Sequence, residues 1–586
     1  MKLGEYQKMA SKLDKIGNGV RYLAGDEAAG KKAVENLKAM KIEGESPSYS
    51  GISAQRYAAM YDWLHDHPDL DAESRKKMIA HMENWADGFM GSLKAGGPCT
   101  PFYSRVSGAI AGLTTIGLAL HGDSPKAEEY VRYAAQHLRN NMGRIREIED
   151  GAQGGGSYSY HHEFTDLANM VAAWRSATDW DAGKWIKENQ GNWLERQLLF
   201  QIWNTYPNGW FVKDGDIWDN SHTDKTQLRM QVDAVTSVYR NGFGRTWADE
   251  MYKRWGTGVY HGEYAWEYFI FNDPEVKPRP LEELGRAEVF SPKMHGIVCW
   301  RDSWKPDATI IHFRAGENCD HHGTQDAGKF TIFKTAPLAI KDGYYSGGYK
   351  KSKHLYYKSA WSANVVVFDA PSNHGNQPGI PDIDKWSSLE DWKAQRDRIV
   401  KRPLFGILEK SEVNDKLARA VSDLTGSCPD GSSWKRELVF LDYRYLLVLD
   451  RVKPANDTEV RWTLHTINDP KIDGQMLTAD NGNARLFCKT LLPDDAKLSK
   501  VGDFHHKDKG GKDITFPGMN GKPEQMLGGW RLDVTGQYPK AECVFLHVLL
   551  PTTTATDKMP ECSVKKDNGS LTVKVGDLEY RFPAGN

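Results

Sequence analysis

The chain has no Cys-x-x-Cys pair. Its seven cysteines, Cys99, Cys299, Cys319, Cys428, Cys488, Cys543 and Cys562, are scattered over 586 residues, which excludes zinc-finger and thioredoxin-type chemistry. The odd count rules out a complete disulfide framework and leaves room for one bridge. No apolar run approaches the length of a membrane-spanning helix, so a membrane is not an expected partner. The start, Met1-Lys2-Leu3-Gly4-Glu5, is polar and lacks an apolar signal core. The expectation is a cytoplasmic protein, or a periplasmic or secreted one from which an export signal has been removed. Net charge is also missing: 76 Lys and Arg stand against 78 Asp and Glu, giving −2. No global basic field recruits nucleic acid, and an anionic ligand must be met by a local cluster of charge.

What is abundant is aromatic. There are 20 Trp and 25 Tyr, side chains whose faces stack on the apolar faces of sugar rings and whose polar tips hydrogen-bond. A large helical core is the competing use for them. At this length a single core stops growing, so two or more domains are expected.

The first half reads as helices. Apolar and aromatic residues recur at helical spacing over 52–95 (Tyr57, Met60, Tyr61, Leu64, then Met78, Met82, Trp85, Phe89). A Gly/Ala-rich, close-packing helix is predicted over 104–120. The pattern continues over 126–147, 164–178, 182–203 and 225–256, with breaks at Gly151–Gly156 and Pro207–Gly209. Amphipathic helix pairs without a fixed repeat suit an (α/α) toroid rather than a solenoid. Near Asn272–Pro280 the composition changes. Beyond it come β-type runs: Ala308–Phe313, Lys329–Phe333, Asn364–Phe368, Leu438–Phe440, Tyr445–Leu449, Glu459–His465, Cys543–Leu550 and Leu571–Val575. The expected fold is α+β and multidomain. A helical toroid over 1–275 precedes an antiparallel β-sandwich over 285–586, and the tail after Pro551 joins the same sheets.

One segment is unusual. Asp320-His321-His322-Gly323-Thr324-Gln325-Asp326-Ala327-Gly328-Lys329-Phe330 is followed by Asp342-Gly343-Tyr344-Tyr345, His354-Leu355-Tyr356-Tyr357 and Ser362-Ala363-Asn364-Val365-Val366-Val367. In order and spacing this resembles the β-domain signature of the heparinase II/III-like polysaccharide lyases. Leu441–Val452 and Arg461-Trp462-Thr463-Leu464-His465 resemble that family's later strands. The resemblance implies a helical toroid followed by β-sandwich sheets, and an enzyme that cleaves an acidic polysaccharide. It also implies a divalent metal, zinc or manganese, held by a His of the first turn, the Asp of the Asp-Gly turn and the His of His-Asn. Here Thr324 and Ala363 stand near the two histidine positions and Asp342 is kept. A rearranged set of His322, Asp342 and His354 has suitable donors; hydrogen bonding within the turns is the alternative.

Lyases of this type eliminate across a uronic acid. The C5 proton becomes acidic once the neighbouring carboxylate is neutralised by hydrogen bonds, a base removes it, and an acid protonates the leaving oxygen. Ser157-Tyr158-Ser159-Tyr160-His161-His162-Glu163 follows a triple glycine and opens a helix. The resemblance puts a catalytic His in this stretch, with His162 favoured as acid or base and Tyr160 and His161 beside the substrate. Two surface histidines at a helix start are the competing reading. Trp218, Asn220 and His222 follow the Asn208–Gly215 loop, where the family carries a catalytic Tyr that this sequence lacks. His222 is the expected catalytic substitute, with Asn220 on the substrate and Trp218 stacked on a sugar or buried in the core. Tyr349, after Gly347-Gly348, lies at a family-like distance from Asp342 and is expected to be base or acid. Arg105 begins a helix, suiting a carboxylate or sulfate or a structural ion pair. A glycoside hydrolase using a pair from Asp166, Asp216, Asp219 and Glu263 is the runner-up. A noncatalytic carbohydrate-binding protein is the third reading.

Overall fold

The computed structural model describes residues 16–44, 47–94, 104–141, 150, 157–215, 230–255, 270–292, 295–316, 324, 326–343, 356–368, 406–429, 431–455, 458–502, 506–507, 513–514, 529–536 and 542–584. The helices are α1 (Gly17–Leu23), α2 (Glu27–Ala39), α3 (Pro47–Trp63), α4 (Ala72–Lys94), α5 (Ser104–Ala119), α6 (Ala127–Asn141), α7 (Ser157–Ala177), α8 (Ala182–Asn189), α9 (Trp193–Trp203), α10 (Met230–Tyr239) and α11 (Gly242–Trp255). Aspartates start several of them: the carboxylates of Asp26, Asp71 and Asp181 accept from the amides of Ala29, Ser74 and Lys184. Helix α4 buries Met78, Met82, Ala86, Phe89 and Met90, one stripe at helical spacing. The run 182–203 divides at Gly191 and Asn192, both at positive φ.

Helices α3, α5 and α7 lie side by side in parallel. A Cβ on Gly51, five residues into α3, would overlap the backbone of Gly108, five residues into α5. The Gln55 amide of α3 donates to Asp166 of α7 over 2.7 Å. Near their C-terminal ends, Arg175 of α7 donates to Ser237 O of α10 over 2.9 Å. The N-termini of these inner helices therefore gather at one end of the toroid, where their unpaired N–H groups make a positive pole. Among the described residues, no helix is long and apolar enough to cross a membrane.

The strands are β1 (Ala287–Phe290), β2 (Ile297–Arg301), β3 (Thr309–Arg314), β4 (Lys329–Lys334), β5 (Ala336–Ala339), β6 (Val366–Phe368), β7 (Ile407–Val413), β8 (Leu417–Asp423), β9 (Ser433–Leu441), β10 (Tyr445–Lys453), β11 (Val460–Thr466), β12 (Lys471–Asp473), β13 (Met476–Asn481), β14 (Ala484–Leu492), β15 (Lys497–Gly502), β16 (His506–Lys507), β17 (Asp513–Ile514), β18 (Trp530–Thr535), β19 (Cys543–Thr553), β20 (Cys562–Asp567), β21 (Ser570–Val575) and β22 (Leu578–Phe582). All their pairings are antiparallel. Strands β1 to β5 form a meander, β12-β13-β14-β19-β10-β9-β8-β7 a large sheet, and β15-β18-β11-β6 a third. Their facing sides share one core, including Trp300, Phe313, Phe330, Leu438, Phe440, Val448, Trp462 and Leu532. The alternating burial of β8 is what such a sandwich requires.

The tail corrects an expectation. Only β19 continues past Pro551 in the large sheet; β20, β21 and β22 form a sheet of their own. Val573, Val575 and Phe582 pack on Leu447, Leu449 and Val548, on the face of the large sheet that points away from the sandwich core. An exposed apolar sheet face needs such a cover. The described cysteines, Cys299, Cys428, Cys488, Cys543 and Cys562, are free thiols. Cys99 and Cys319 lie outside the described residues.

Candidate active site

The seam between helices and sheets starts at a hairpin. After α9 the chain turns through Tyr206–Gly209, where the Gly209 amide donates to Tyr206 O and the Tyr206 amide to Trp210 O, each over 2.8 Å. Gly209 supplies the positive φ of 84° that the turn needs. Tyr206, Trp210 and Val212 then pack on Ala308, Ile310 and Phe333 of the first sheet. The rings of Tyr206 and Phe333 stack at 4.4 Å.

The hairpin delivers Asp214 into a buried ionic network. Its Oδ1 meets Arg314 Nη1 of β3 at 2.9 Å and Lys329 Nζ of β4 at 2.5 Å, and His312 Nε2 lies 3.9 Å from Oδ2. Asp326 takes Arg314 Nη2 at 2.7 Å, Lys329 Nζ at 3.0 Å and Lys341 Nζ at 2.8 Å. The Thr324 hydroxyl also donates to Asp326 over 2.6 Å. Burial alone would raise both carboxyls, yet Arg314, Lys329 and, for Asp326, Lys341 hold them well below the usual carboxylate range. Burial brings Lys341 down to about 8 and His312 down to about 4. Ions in such a place lose several kcal/mol of hydration each, so the network persists only with its partners in register.

The network and its neighbours hold the ends of the segments singled out in the sequence. Segment 216–229 leaves from Gly215, whose carbonyl accepts from Tyr357 Oη over 2.5 Å. Segment 344–355 runs between Gly343 and Tyr356, joined through Asp342: its Oδ1 accepts from the Gly343 amide at 2.6 Å and its Oδ2 from Tyr356 Oη at 2.8 Å. Segment 317–323 ends at Thr324, inside the network. Asp150, ahead of the triple glycine that leads into α7, is gripped by Arg196 at 2.8 Å, and Arg196 Nη2 also donates to Val289 O of β1 over 2.9 Å.

His162, His161 and Tyr160 lie in the first turns of α7 and Arg105 is the second residue of α5; their side chains are outside the described residues. Tyr349, His222, Trp218, Asn220, His322 and His354 also lie outside them. Asp342 is buried, and burial pushes its carboxyl up to about 6 against the Tyr356 hydrogen bond and the Lys213 charge. Thr324 and Ala363, at the family's histidine positions, offer no imidazole. Thr324 is committed to Asp326, and Ala363 is in the sandwich core. The described residues therefore do not fit a metal at those positions, and among them no group of three His, Cys, Asp or Glu is arranged for one. Asn364 ties strands together instead, donating to Phe330 O and accepting from the His465 amide, each over 2.7 Å. Asp166 is fully buried against Gln55, and burial raises its carboxyl far above the usual range. The other carboxylates of the hydrolase reading, Asp216, Asp219 and Glu263, lie outside the described residues.

Sequence reasoning passed over Asp214, Arg314, Lys329, Lys341 and Tyr357 as functional candidates. The available signal was charge inside apolar strands, as in Thr309-Ile310-Ile311-His312-Phe313-Arg314, whose residues are all buried.

Residues 287–556 match the family model described as heparinase II/III-like, C-terminal. Solved structures similar over 97% of this chain include heparan sulfate lyase HepC from Pedobacter heparinus, at 13% identity, TM-score 0.63 and 80% of that chain. A mutant of the same lyase gives 13%, 0.65 and 81%. A heparinase III gives 12%, 0.62 and 81%. At such identities the likeness is one of fold. No curated protein matches the chain in sequence.

Proposed function

Through residues 287–556 the chain belongs to the heparinase II/III-like family, and on that premise we propose that it is a polysaccharide lyase cleaving a uronate-containing glycosaminoglycan by β-elimination. The observation that carries this reading is the shared anchorage of the segments bearing the candidate groups. Gly215, Gly343, Tyr356 and Thr324 are held within one hydrogen-bonded seam, and the chain enters α7 from a residue tied to β1. Groups on separate domains need such a frame to act on one sugar.

In the proposed reaction Asn220 and His222 neutralise the uronate carboxylate. Tyr349, as its phenolate, removes the C5 proton, and the electron pair forms the C4–C5 double bond as the C4–O bond breaks. His162 returns a proton to the leaving oxygen. Arg105, at the N-terminus of α5, meets a carboxylate or sulfate of the chain, aided by the positive pole of the inner helices. Tyr160, His161 and Trp218 line the sugar subsites. No step passes through a metal.

The test is incubation with heparan sulfate, chondroitin sulfate, hyaluronan and alginate, following ultraviolet absorbance of the unsaturated uronate and reducing ends together. Both should rise with a glycosaminoglycan. Reducing ends without the absorbance would replace elimination by hydrolysis, and a response to alginate alone would move the substrate class.

A further inference from the structure

Asp166 stands in the middle of α7, 0% exposed, against Gln55 of α3, itself 3% exposed. An ionised carboxyl group buried this deeply needs a cation or several hydrogen bonds. The buried carboxylates of the seam have them: Asp214 meets Arg314 and Lys329, and Asp326 meets both of these and Lys341. Among the described residues Asp166 has only Gln55. Its Oδ1 accepts from Gln55 Nε2 over 2.7 Å, and its Oδ2 is buried without a donor.

Gln55 has the matching gap. Its Nε2 also donates to Gly51 O over 3.3 Å, which fixes the direction of the amide, and its Oε1 is likewise buried without a donor. Two leftover acceptors thus sit on two groups already joined by one hydrogen bond, and solvent reaches neither. A proton on Asp166 Oδ2 supplies the missing donor. Acid and amide then close a ring, with N–H to Oδ1 on one side and O–H to Oε1 on the other.

The charges on the elements packed against α7 are placed elsewhere. On α3, Arg56 and Tyr57 turn off the Gln55 face, Tyr61 donates to Asp123, and Asp62 lies about two turns further on. On α8, Lys187 pairs with Glu195 and Lys184 with Glu188. On α10, Tyr239 donates to Gly183 O, and Asp233 exerts no influence on the Asp166 carboxyl. Arg175 of α7 donates to Ser237 O. The side chains of Arg105, His162 and Glu163 lie outside the described residues. Burial pushes the Asp166 carboxyl far above its usual range, opposed by the Gln55 hydrogen bond.

We propose that Asp166 keeps its proton in the folded chain at neutral pH and pairs with Gln55 as acid and amide, a neutral latch between α3 and α7 that loses its hold as pH rises. The unfolded chain releases this proton near the ordinary 3.8 and the folded chain only far above it. Between those values the folded chain holds the extra proton, so stability falls with rising pH. The latch lies one turn after His162 but does not depend on the lyase reading.

Infrared spectroscopy of the full chain at pH 7 tests it. The carbonyl stretch of an un-ionised carboxyl group should be present in the wild type and missing from Asp166→Asn. Asparagine offers Oε1 the same kind of donor with no proton to lose. The folded-to-unfolded ratio of Asp166→Asn over that of the wild type, from denaturant unfolding, should therefore rise about tenfold per pH unit between pH 5 and pH 7. Gln55→Leu, which keeps the carboxyl and removes its amide, should shift the band. The proposal is overturned if Asp166→Asn removes no band, or if the ratio is flat or falls with pH. A band unmoved by Gln55→Leu overturns the pairing even where Asp166→Asn does not fold.

Discussion

The Tyr357 hydroxyl donates to the Gly215 carbonyl over 2.5 Å, so a β-domain side chain holds the residue from which segment 216–229 departs. Tyr357→Phe removes only this donor and leaves a buried carbonyl unmet. The expected loss is about 1–2 kcal/mol in denaturant unfolding. If the bond positions the segment, kcat for the unsaturated product falls while KM changes little. Lower stability with unchanged kcat would reduce Tyr357 to a structural tie.

Among the described residues, Asp214 is the one carboxylate that the helical half sends into the network. Asp214→Asn keeps its volume but leaves Arg314 and Lys329 short of a negative charge. Breaking a buried pair in this way costs about 3–5 kcal/mol. Chemical unfolding should show that loss, and lyase activity should fall with it at temperatures where the variant is still folded. A variant as stable as the wild type would mean that Asp326 alone compensates the cations.

His312 makes the seam sensitive to acid. Burial lowers its pKa from the ordinary 6.5 to about 4. Between those values the unfolded chain binds a proton that the folded chain refuses, so stability falls as pH drops through that window. The effect is roughly 2–3 kcal/mol for a fully buried imidazole. The melting temperature of the wild type should drop more between pH 7 and pH 5 than that of His312→Gln. Equal drops would remove His312 from the account and leave other histidines, such as the buried His547, responsible.

Tyr349→Phe and His162→Ala carry the chemical claim. Each should lower kcat by about 10²–10⁴-fold, the usual worth of a positioned acid or base, with melting temperatures within a few degrees of the wild type. Full activity in either variant would transfer its role to another residue, with His222 the first to examine.

Asp342 bears on the metal expected from the resemblance. Both of its oxygens accept hydrogen bonds, and Thr324 and Ala363 stand where the resemblance expects histidines. Treatment with a chelator should therefore leave activity and melting temperature unchanged. A fall restored by zinc or manganese would instead assign a site to His322, Asp342 and His354.

The order of the two architectures is legible from the residues alone. Helical stripes such as Met78-Met82-Phe89 and alternating runs such as Leu417–Asp423 are local consequences of 3.6- and 2-residue periods, and each needs only its own segment to be read. The signature around Asp326, Asp342 and Asn364 was legible for the same reason, as residues close together in the chain. Which of these would bind and which would merely pair was not. Asp342 was read as a candidate ligand from its Asp-Gly turn, and the partners its oxygens have, the Gly343 amide and the Tyr356 hydroxyl, come from the fold. Asp214 lay unremarked in a loop, but it meets Arg314 and Lys329 from strands about a hundred residues away. Such pairings are set by folding, because the charge state and role of a polar group depend on the partners and dielectric brought to it, and those come from distant parts of the chain.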